Sequence, residues 1–169
     1  MVAVRLLSVV LLLVTANLSV AAEPAVIVQT DDWESEANQA RQSGVPVMVV
    51  FSAENCPYCD RLKTEVLAPN LQQGQFARRV HIREFDIDRG GKITDFDGEP
   101  IRGRIFVSRY EVFATPTVLL LDHSGELLTA PLIGFDNPED YNDRLRNNIA
   151  SALHTLATGP RYVMGNGPE

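Results

Sequence analysis

The two cysteines of this chain lie three positions apart. The stretch SAENCPYCDR places Cys56 and Cys59 on either side of Pro57 and Tyr58, and the 169 residues contain no third cysteine. Two thiols at this spacing can carry out disulfide exchange, supply half of a metal site, or form a structural cross-link. The residues around the pair must distinguish these three interpretations.

A closed zinc site receives little support from the sequence. Structural zinc takes four Cys or His ligands, whereas His81, His123 and His154 fall on a predicted strand, a turn and a late helix, away from the cysteines. Copper(I) remains chemically possible because two soft thiolates select it, with Met48 as the one nearby additional ligand. We therefore expect no cofactor and no resident metal, and keep a copper(I) carrier as an alternative.

A purely structural cross-link is also poorly supported. A disulfide between Cys56 and Cys59 would close a very short loop. By the loop-entropy relation it would stabilise the fold by about 2 kcal/mol, less than a bridge across a longer loop. Reactivity explains the pair better than stability does.

The position of the pair in the predicted secondary structure favours redox chemistry. The apolar run from Val47 to Phe51 is typical of a strand buried on both faces, and Pro57 suits the first turn of a helix. A thiol at a helix N-terminus has a lowered pKa, because the unpaired N–H groups and the helix dipole stabilise its thiolate. We therefore predict Cys56 as the nucleophile and the more buried Cys59 as the resolving cysteine.

The N-terminus has the pattern of a secretory signal. Arg5 precedes the apolar run Leu6 to Val14, and small residues follow as far as Ala22. We predict a signal peptide at residues 1–22, a single domain at 23–158, a flexible tail at 159–169, and a periplasmic mature protein. An uncleaved anchor is the alternative, although this apolar stretch is short for a membrane span.

Composition excludes some partners. The net charge is −7 and no cluster of Lys and Arg stands out in the sequence, so nucleic-acid binding is not expected. The acidic surface favours solubility and does not indicate a particular partner. We expect a monomer.

The order of predicted elements indicates an α/β fold with a central mixed sheet flanked by helices. Strands are predicted near residues 26–28, 47–51, 80–87, 118–121 and 127–133. We expect a helix break at Pro69 and Asn70. Residues 89–102 predict a small hairpin insert across Asp97 and Gly98, which Asp95, Asp97 and Glu99 make acidic. That insert is interpreted either as a client-recognition element or as a solvated hairpin.

Three segments resemble the thioredoxin superfamily in sequence and order: VMVVFSAENCPYC, VHIREFDID and VFATPTVLLLDHSGEL. The resemblance covers roughly residues 30–156 and implies the thioredoxin fold. By position, it implies that Cys56 is the attacking thiol, that Cys59 resolves the mixed disulfide, and that Pro116 is the cis-proline facing them. Thr115 is implied as a substrate contact.

Other segments of the chain resemble two different groups within the superfamily. Pro57 and Tyr58 match dithiol glutaredoxins and are expected to border the bound substrate. The signal peptide and the segment YEVFATPT look more like exported thioredoxin-like proteins, including the SoxW-type proteins of bacterial sulfur-oxidation clusters.

The chain departs from thioredoxins at the buried proton acceptor. Val50 stands where thioredoxins have a buried aspartate, Ser52 replaces an aromatic residue, and Asn55 replaces the tryptophan before the first cysteine. Glu84 or Glu54 are the candidate substitutes for the missing acceptor. The alternative for both is a solvated surface carboxylate.

The resemblance implies a thiol–disulfide oxidoreductase without a bound cofactor. We expect it to reduce a disulfide of a specific client protein, and to exchange electrons with a membrane-linked donor or acceptor. The direction of electron flow is left open by the residues themselves. The alternative function is a binding module of the same fold, either a copper(I) carrier or an adaptor that holds a partner.

Overall fold

The computed structural model describes residues 26–159. Residues 1–25 and 160–169 lie outside the described part, and with them the predicted signal peptide and nearly all of the predicted tail. The domain boundaries stay predictions.

The described chain alternates helices and strands before it ends in one long helix. The helices are α1 (Trp33–Ser43), α2 (Pro57–Leu62), a π-helical turn (Lys63–Leu67), α3 (Ala68–Gln72), α4 (Gly103–Arg109) and α5 (Pro138–Thr158). The strands are β1 (Val47–Ser52), β2 (His81–Asp86), β3 (Lys92–Thr94), β4 (Pro100–Arg102), β5 (Thr117–Leu121) and β6 (Leu132–Ile133).

The central sheet is mixed, as the sequence predicts. Its strand order is β2-β1-β5-β6. β1 pairs in parallel with β2 and antiparallel with β5, and β5 pairs antiparallel with β6. β1 is therefore an interior strand, and all six of its residues are buried. This arrangement is the thioredoxin fold.

The sheet separates two apolar clusters. Alternate residues of β1 contribute to opposite clusters because strand side chains point alternately to the two faces. The cluster on the α2 and α5 side includes Met48, Val50, Leu62, Leu145 and Ile149. The cluster on the α1 and α4 side includes Val47, Phe51, Trp33, Phe85 and Phe106. Both faces of β1 are thus anchored, which fixes the position of the loop that follows it.

The predicted helix break at Pro69 and Asn70 is wrong. Helical structure continues from Pro57 to Gln72 through the π-helical turn. The wider turn ends just before the proline, where the Ala68 N–H donates to the Lys63 carbonyl. Asn70 Nδ2 donates to the Val66 carbonyl at 2.8 Å, so a side chain supplies a hydrogen bond inside the helix.

Of two predicted strands, one is absent from the structure and the other is shorter. Residues 26–28 form no strand, although the Val28 carbonyl accepts from the Glu84 N–H at 3.0 Å along the outer edge of β2. Within 127–133 only β6 is a strand, and Leu127 makes an isolated bridge to Leu121. The predicted hairpin insert is present: β3 and β4 pair antiparallel, with Ile93 opposite Ile101.

Candidate active site

The two cysteines lie at the junction between the end of β1 and the start of α2. Cys56 is the N-cap residue of α2, and Pro57 occupies the first turn. The Cys59 N–H donates to Cys56 Sγ at 3.2 Å, and the two sulfur atoms are bonded at 2.07 Å. The structure therefore shows an intramolecular disulfide whose first sulfur accepts a hydrogen bond from the leading turn of the helix.

The two sulfurs differ in their access to solvent. Cys59 is 2% exposed, whereas Cys56 is half-buried. Pro57 and Tyr58, which lie between them, are exposed, and Tyr58 keeps 55% of its surface. A partner molecule can therefore approach Cys56 across an open rim while Cys59 remains covered.

The loop before β5 meets the disulfide from the opposite side. Thr115 Oγ1 lies 3.5 Å from Cys56 Sγ, and the peptide bond from Thr115 to Pro116 is cis. Pro116 is buried. Because β5 pairs antiparallel with β1, the start of β5 lies beside the end of β1, so residues 59 positions apart in sequence come together.

The loop between β1 and α2 is held to the end of β2. The Glu54 N–H donates to Asp88 Oδ2 at 2.9 Å, while the Glu54 side chain is exposed. Asn55 has a φ of 53°. This left-handed conformation is tolerated by asparagine better than by most residues, which gives a local reason for Asn55 to precede Cys56. The sequence offered no signal for Asp88.

The structure separates the two candidate proton acceptors. Glu54 is exposed, as the surface-carboxylate alternative expects, but Glu84 is only 5% exposed. Glu84 is the pairing partner of Val50 in the parallel ladder, so both side chains leave the sheet on the same face. Interpreting Glu84 as a solvated surface carboxylate is wrong.

A lysine from the active-site helix reaches Glu84. Lys63 Nζ lies 3.1 Å from Glu84 Oε1 and 3.6 Å from Asp60 Oδ1. Lys63 follows Cys59 by four residues, so the two lie on neighbouring turns of one helical face. A buried carboxylate with a cationic partner therefore faces the segment that carries the resolving cysteine. Sequence reasoning missed Lys63, although its spacing from Cys59 is the signal that would have found it.

An open groove of about 540 Å³ lies next to the loop that carries Thr115. Phe113 is 80% exposed at its edge, two residues before Thr115. Ile87, from the segment after β2, and Arg104, from α4, also line it. Through Phe113 the groove is close in sequence to Thr115, whose hydroxyl contacts Cys56 Sγ. Sequence reasoning missed Phe113.

In the copper(I) alternative, Met48 is the one nearby additional ligand. Met48 is fully buried in the apolar cluster on the α2 and α5 side. Within residues 26–159, no group of three or more Cys, His, Asp or Glu residues is arranged to hold a metal ion.

A family model described as a thioredoxin-like domain matches residues 33–149. The chain belongs to the thioredoxin-like family. The matched range begins with α1 and ends inside α5, so it includes both cysteines and the cis bond at Pro116. Proteins of this fold that carry a Cys-X-X-Cys disulfide typically act as thiol–disulfide oxidoreductases.

Two solved structures illustrate the likeness of this thioredoxin-like protein to others. A thioredoxin from Thermus thermophilus is 23% identical, with a TM-score of 0.56 and an alignment over 79% of this chain and 95% of its own. The DsbH oxidoreductase is 15% identical, with a TM-score of 0.53 and an alignment over 75% of this chain and 88% of its own. At these identities the likeness shows the shared fold. No curated protein sequence matches the chain significantly.

Between residues 26 and 159, no helix has both the length and the apolar character to cross a bilayer.

Proposed function

We propose that this thioredoxin-like protein is a periplasmic thiol–disulfide oxidoreductase that reduces disulfides of a specific client protein. The observation that carries the proposal is the disulfide at the N-terminus of α2, with Cys56 half-buried beside Thr115 and Cys59 covered. This difference in exposure suits a reaction in which Cys56 forms a mixed disulfide with the substrate and the covered Cys59 then resolves it.

The reaction starts from the reduced protein. The Cys56 thiolate attacks one sulfur of the client cystine, forms a mixed disulfide, and releases the other client sulfur as a thiolate. Cys59 then loses its proton and attacks Cys56 Sγ, which releases the second client thiolate and restores the disulfide seen in the structure. Two electrons pass from the Cys56 and Cys59 pair to the client, and the released thiolates take up protons.

The surroundings of Cys56 support its role as the attacking sulfur. The Cys59 N–H that donates to Cys56 Sγ would equally stabilise a thiolate there. Thr115, Pro116, Pro57 and Tyr58 would form the rim that contacts the client, with Thr115 nearest the reacting sulfur. Neither step uses a bound cofactor.

Glu84 is proposed as the acceptor of the Cys59 proton. Its carboxylate is buried on the α2 side of the sheet, and Lys63 on the Cys59 helix holds it at 3.1 Å. Val50 cannot accept a proton, and Glu84 is its pairing partner on the neighbouring strand. The Glu84 carboxylate is therefore proposed in place of the buried aspartate that thioredoxins have at the position of Val50. Glu54 is the second candidate, and its exposed position makes it the natural control.

The physiological setting is part of the proposal. The predicted signal peptide and the resemblance to exported SoxW-type proteins support a periplasmic location. A reductase in an oxidising compartment must be re-reduced, so we infer a membrane-linked dithiol donor as the second partner. Nucleic acid is not proposed as a partner, and the protein is proposed to act as a monomer.

The experiment is the reduction of insulin disulfides by the mature protein with dithiothreitol as electron source. We expect turnover by the unmodified protein and turnover no faster than dithiothreitol alone for Cys56→Ser. Cys59→Ser is expected to accumulate a mixed disulfide with the substrate, visible by mass spectrometry. Equal turnover by the unmodified protein and Cys56→Ser would overturn the proposed function.

A further inference from the structure

The hairpin insert places two positive charges opposite each other. Lys92 on β3 is the cross-strand partner of Arg102 on β4, and both are exposed. Like charges directly opposite on a strand pair are destabilising, and neither side chain is needed to fill the core. A like-charge pair that lowers stability and has no role in packing indicates a role in binding.

Two further arginines lie near this pair. Gly103 joins the hairpin to α4, since its N–H donates to the Gly91 carbonyl at 3.1 Å and a Cβ built on it would lie 3.5 Å from the Arg89 carbonyl oxygen. Arg104 follows at once on α4, and both Arg89 and Arg104 are exposed. We call the four exposed side chains of Arg89, Lys92, Arg102 and Arg104 the cationic face.

The four cations of the cationic face have no ion-pair partner within the described part of the fold. Within residues 26–159, none of the four side chains forms an ion pair or a hydrogen bond. Asp31 and Asp86 line the cleft beside Arg89 and Lys92 without pairing with them.

Of the three acids in the insert, Asp97 and Glu99 are exposed, as the sequence leads one to expect, whereas Asp95 is buried. Asp95 is 3% exposed, and Arg109 Nη1 donates to its Oδ1 at 2.8 Å. This acid is therefore occupied inside the fold, while the cations of the hairpin remain outside. In a protein with a net charge of −7, such a face is a local exception that an acidic partner can recognise.

One residue of the cationic face reaches the groove near the candidate active site. Arg104 lines this groove together with the exposed Phe113 and with Glu111. Phe113 is two residues before Thr115, whose hydroxyl lies 3.5 Å from Cys56 Sγ. One polypeptide segment can therefore span the sulfur, the groove and the cationic face.

We propose that the cationic face binds an acidic segment of the client polypeptide next to the cystine that Cys56 attacks. The inference rests on the proposed function, and it adds the chemical class of the client: a disulfide flanked by apolar and then by Asp or Glu residues. The face sets the rate at which such clients are captured, because opposite charges accelerate encounter.

The test uses pre-reduced mature protein and two synthetic peptides with the same disulfide loop and the same phenylalanine. One peptide continues in three glutamates and the other in three lysines. We expect the acidic peptide to be reduced about 10-fold faster at low ionic strength, with a smaller preference in 0.5 M salt because exposed charges are screened. Lys92→Glu with Arg102→Glu is expected to reverse the preference.

Two controls separate charge from folding and from chemistry. The double variant Arg78→Glu with Arg146→Glu changes the net charge equally at exposed positions outside the face, and it should retain the preference for the acidic peptide. The uncharged reagent 2-hydroxyethyl disulfide reports the cysteines alone, and all variants should reduce it equally. Equal rates with both peptides, while this reagent is reduced normally, would overturn the inference. Failure to reduce any disulfide would overturn the proposed function as well.

Discussion

At the scale of single residues, the proposed chemistry depends on two differences: Cys56 is accessible whereas Cys59 is covered, and Glu84 is buried whereas Glu54 is exposed. Because of the first difference, we propose that Cys56 reacts before Cys59. Because of the second, we propose Glu84, whose carboxylate lies 3.1 Å from Lys63 Nζ, as the acceptor of the Cys59 proton.

The role of Glu84 can be tested by the pH dependence of turnover. For Glu84→Gln we expect turnover near neutral pH to fall about 10-fold and to recover at alkaline pH, because Cys59 must then lose its proton to solvent. Glu54→Gln, at an exposed position, should keep the profile of the unmodified protein. An unchanged pH profile in Glu84→Gln, with the thermal stability retained, would dismiss Glu84 as the acceptor.

The sequence indicated the residues that the structure brings together better than the residues that support them. Cys56 and Cys59 are recognisable because their spacing is local, and Thr115 is implied by the resemblance to the thioredoxin superfamily. The burial of Glu84 depends on residues 27–30, which lie along β2, and on Lys63, which contacts it from the π-helical turn after α2. Both are tertiary contacts that alternation along one strand cannot reveal.

At the scale of elements, caps and side chains decide where helices begin and continue. Asp32 caps α1, and Gly44, in the left-handed conformation, ends it. The continuation through Pro69 was missed because a π-helical turn and a hydrogen bond from Asn70 replace the regular pattern. Breaker residues indicate where a helix can end, and side-chain contacts decide whether it does.

The cap of α5 gives a prediction at this scale. Asn137 Oδ1 accepts hydrogen bonds from the N–H groups of Glu139 and Asp140 at 2.9 and 3.1 Å. Asn137→Ala should lower the free energy of unfolding by about 1 kcal/mol, since two N–H groups lose their acceptor. Urea denaturation measures this change, and Asn147→Ala at an exposed position within the helix is the control. Equal stability of the Asn137→Ala and unmodified proteins would contradict the assigned cap.

At the scale of the whole molecule, the net charge does not show where the positive and negative side chains lie. The net charge of −7 indicated an acidic surface, yet the fold buries Asp95 and Glu36 and leaves Lys92 and Arg102 exposed and adjacent. Such a separation cannot be read from composition, because it depends on which charges find partners inside the fold.

Glu36 links the stability of the whole domain to pH. Burial alone would raise its pKa, but the hydrogen bond with His81 at 2.6 Å and the contact with Arg83 at 2.8 Å outweigh burial and lower it below the ordinary value of 4.5. A lowered folded-state pKa gives stability that is present above the unfolded-state pKa and is lost as the pH falls through the folded-state pKa.

The consequence is measurable in the variant Glu36→Gln. At pH 7 its free energy of unfolding should be about 2 kcal/mol lower than that of the unmodified protein, because a buried charged hydrogen bond is weakened. The difference should shrink as the pH falls below 4.5, where the native Glu36 itself becomes protonated. Urea denaturation at several pH values tests this, and a difference that is independent of pH would contradict the account.

The central claim is that the first turn of α2 stabilises a thiolate at Cys56. In the Cys59→Ser variant Cys56 is the single thiol, so the pH dependence of its alkylation by iodoacetamide reports its ionisation directly. We predict a pKa clearly below the value of about 8.5 for a free cysteine. A pKa at or above that value would contradict the account.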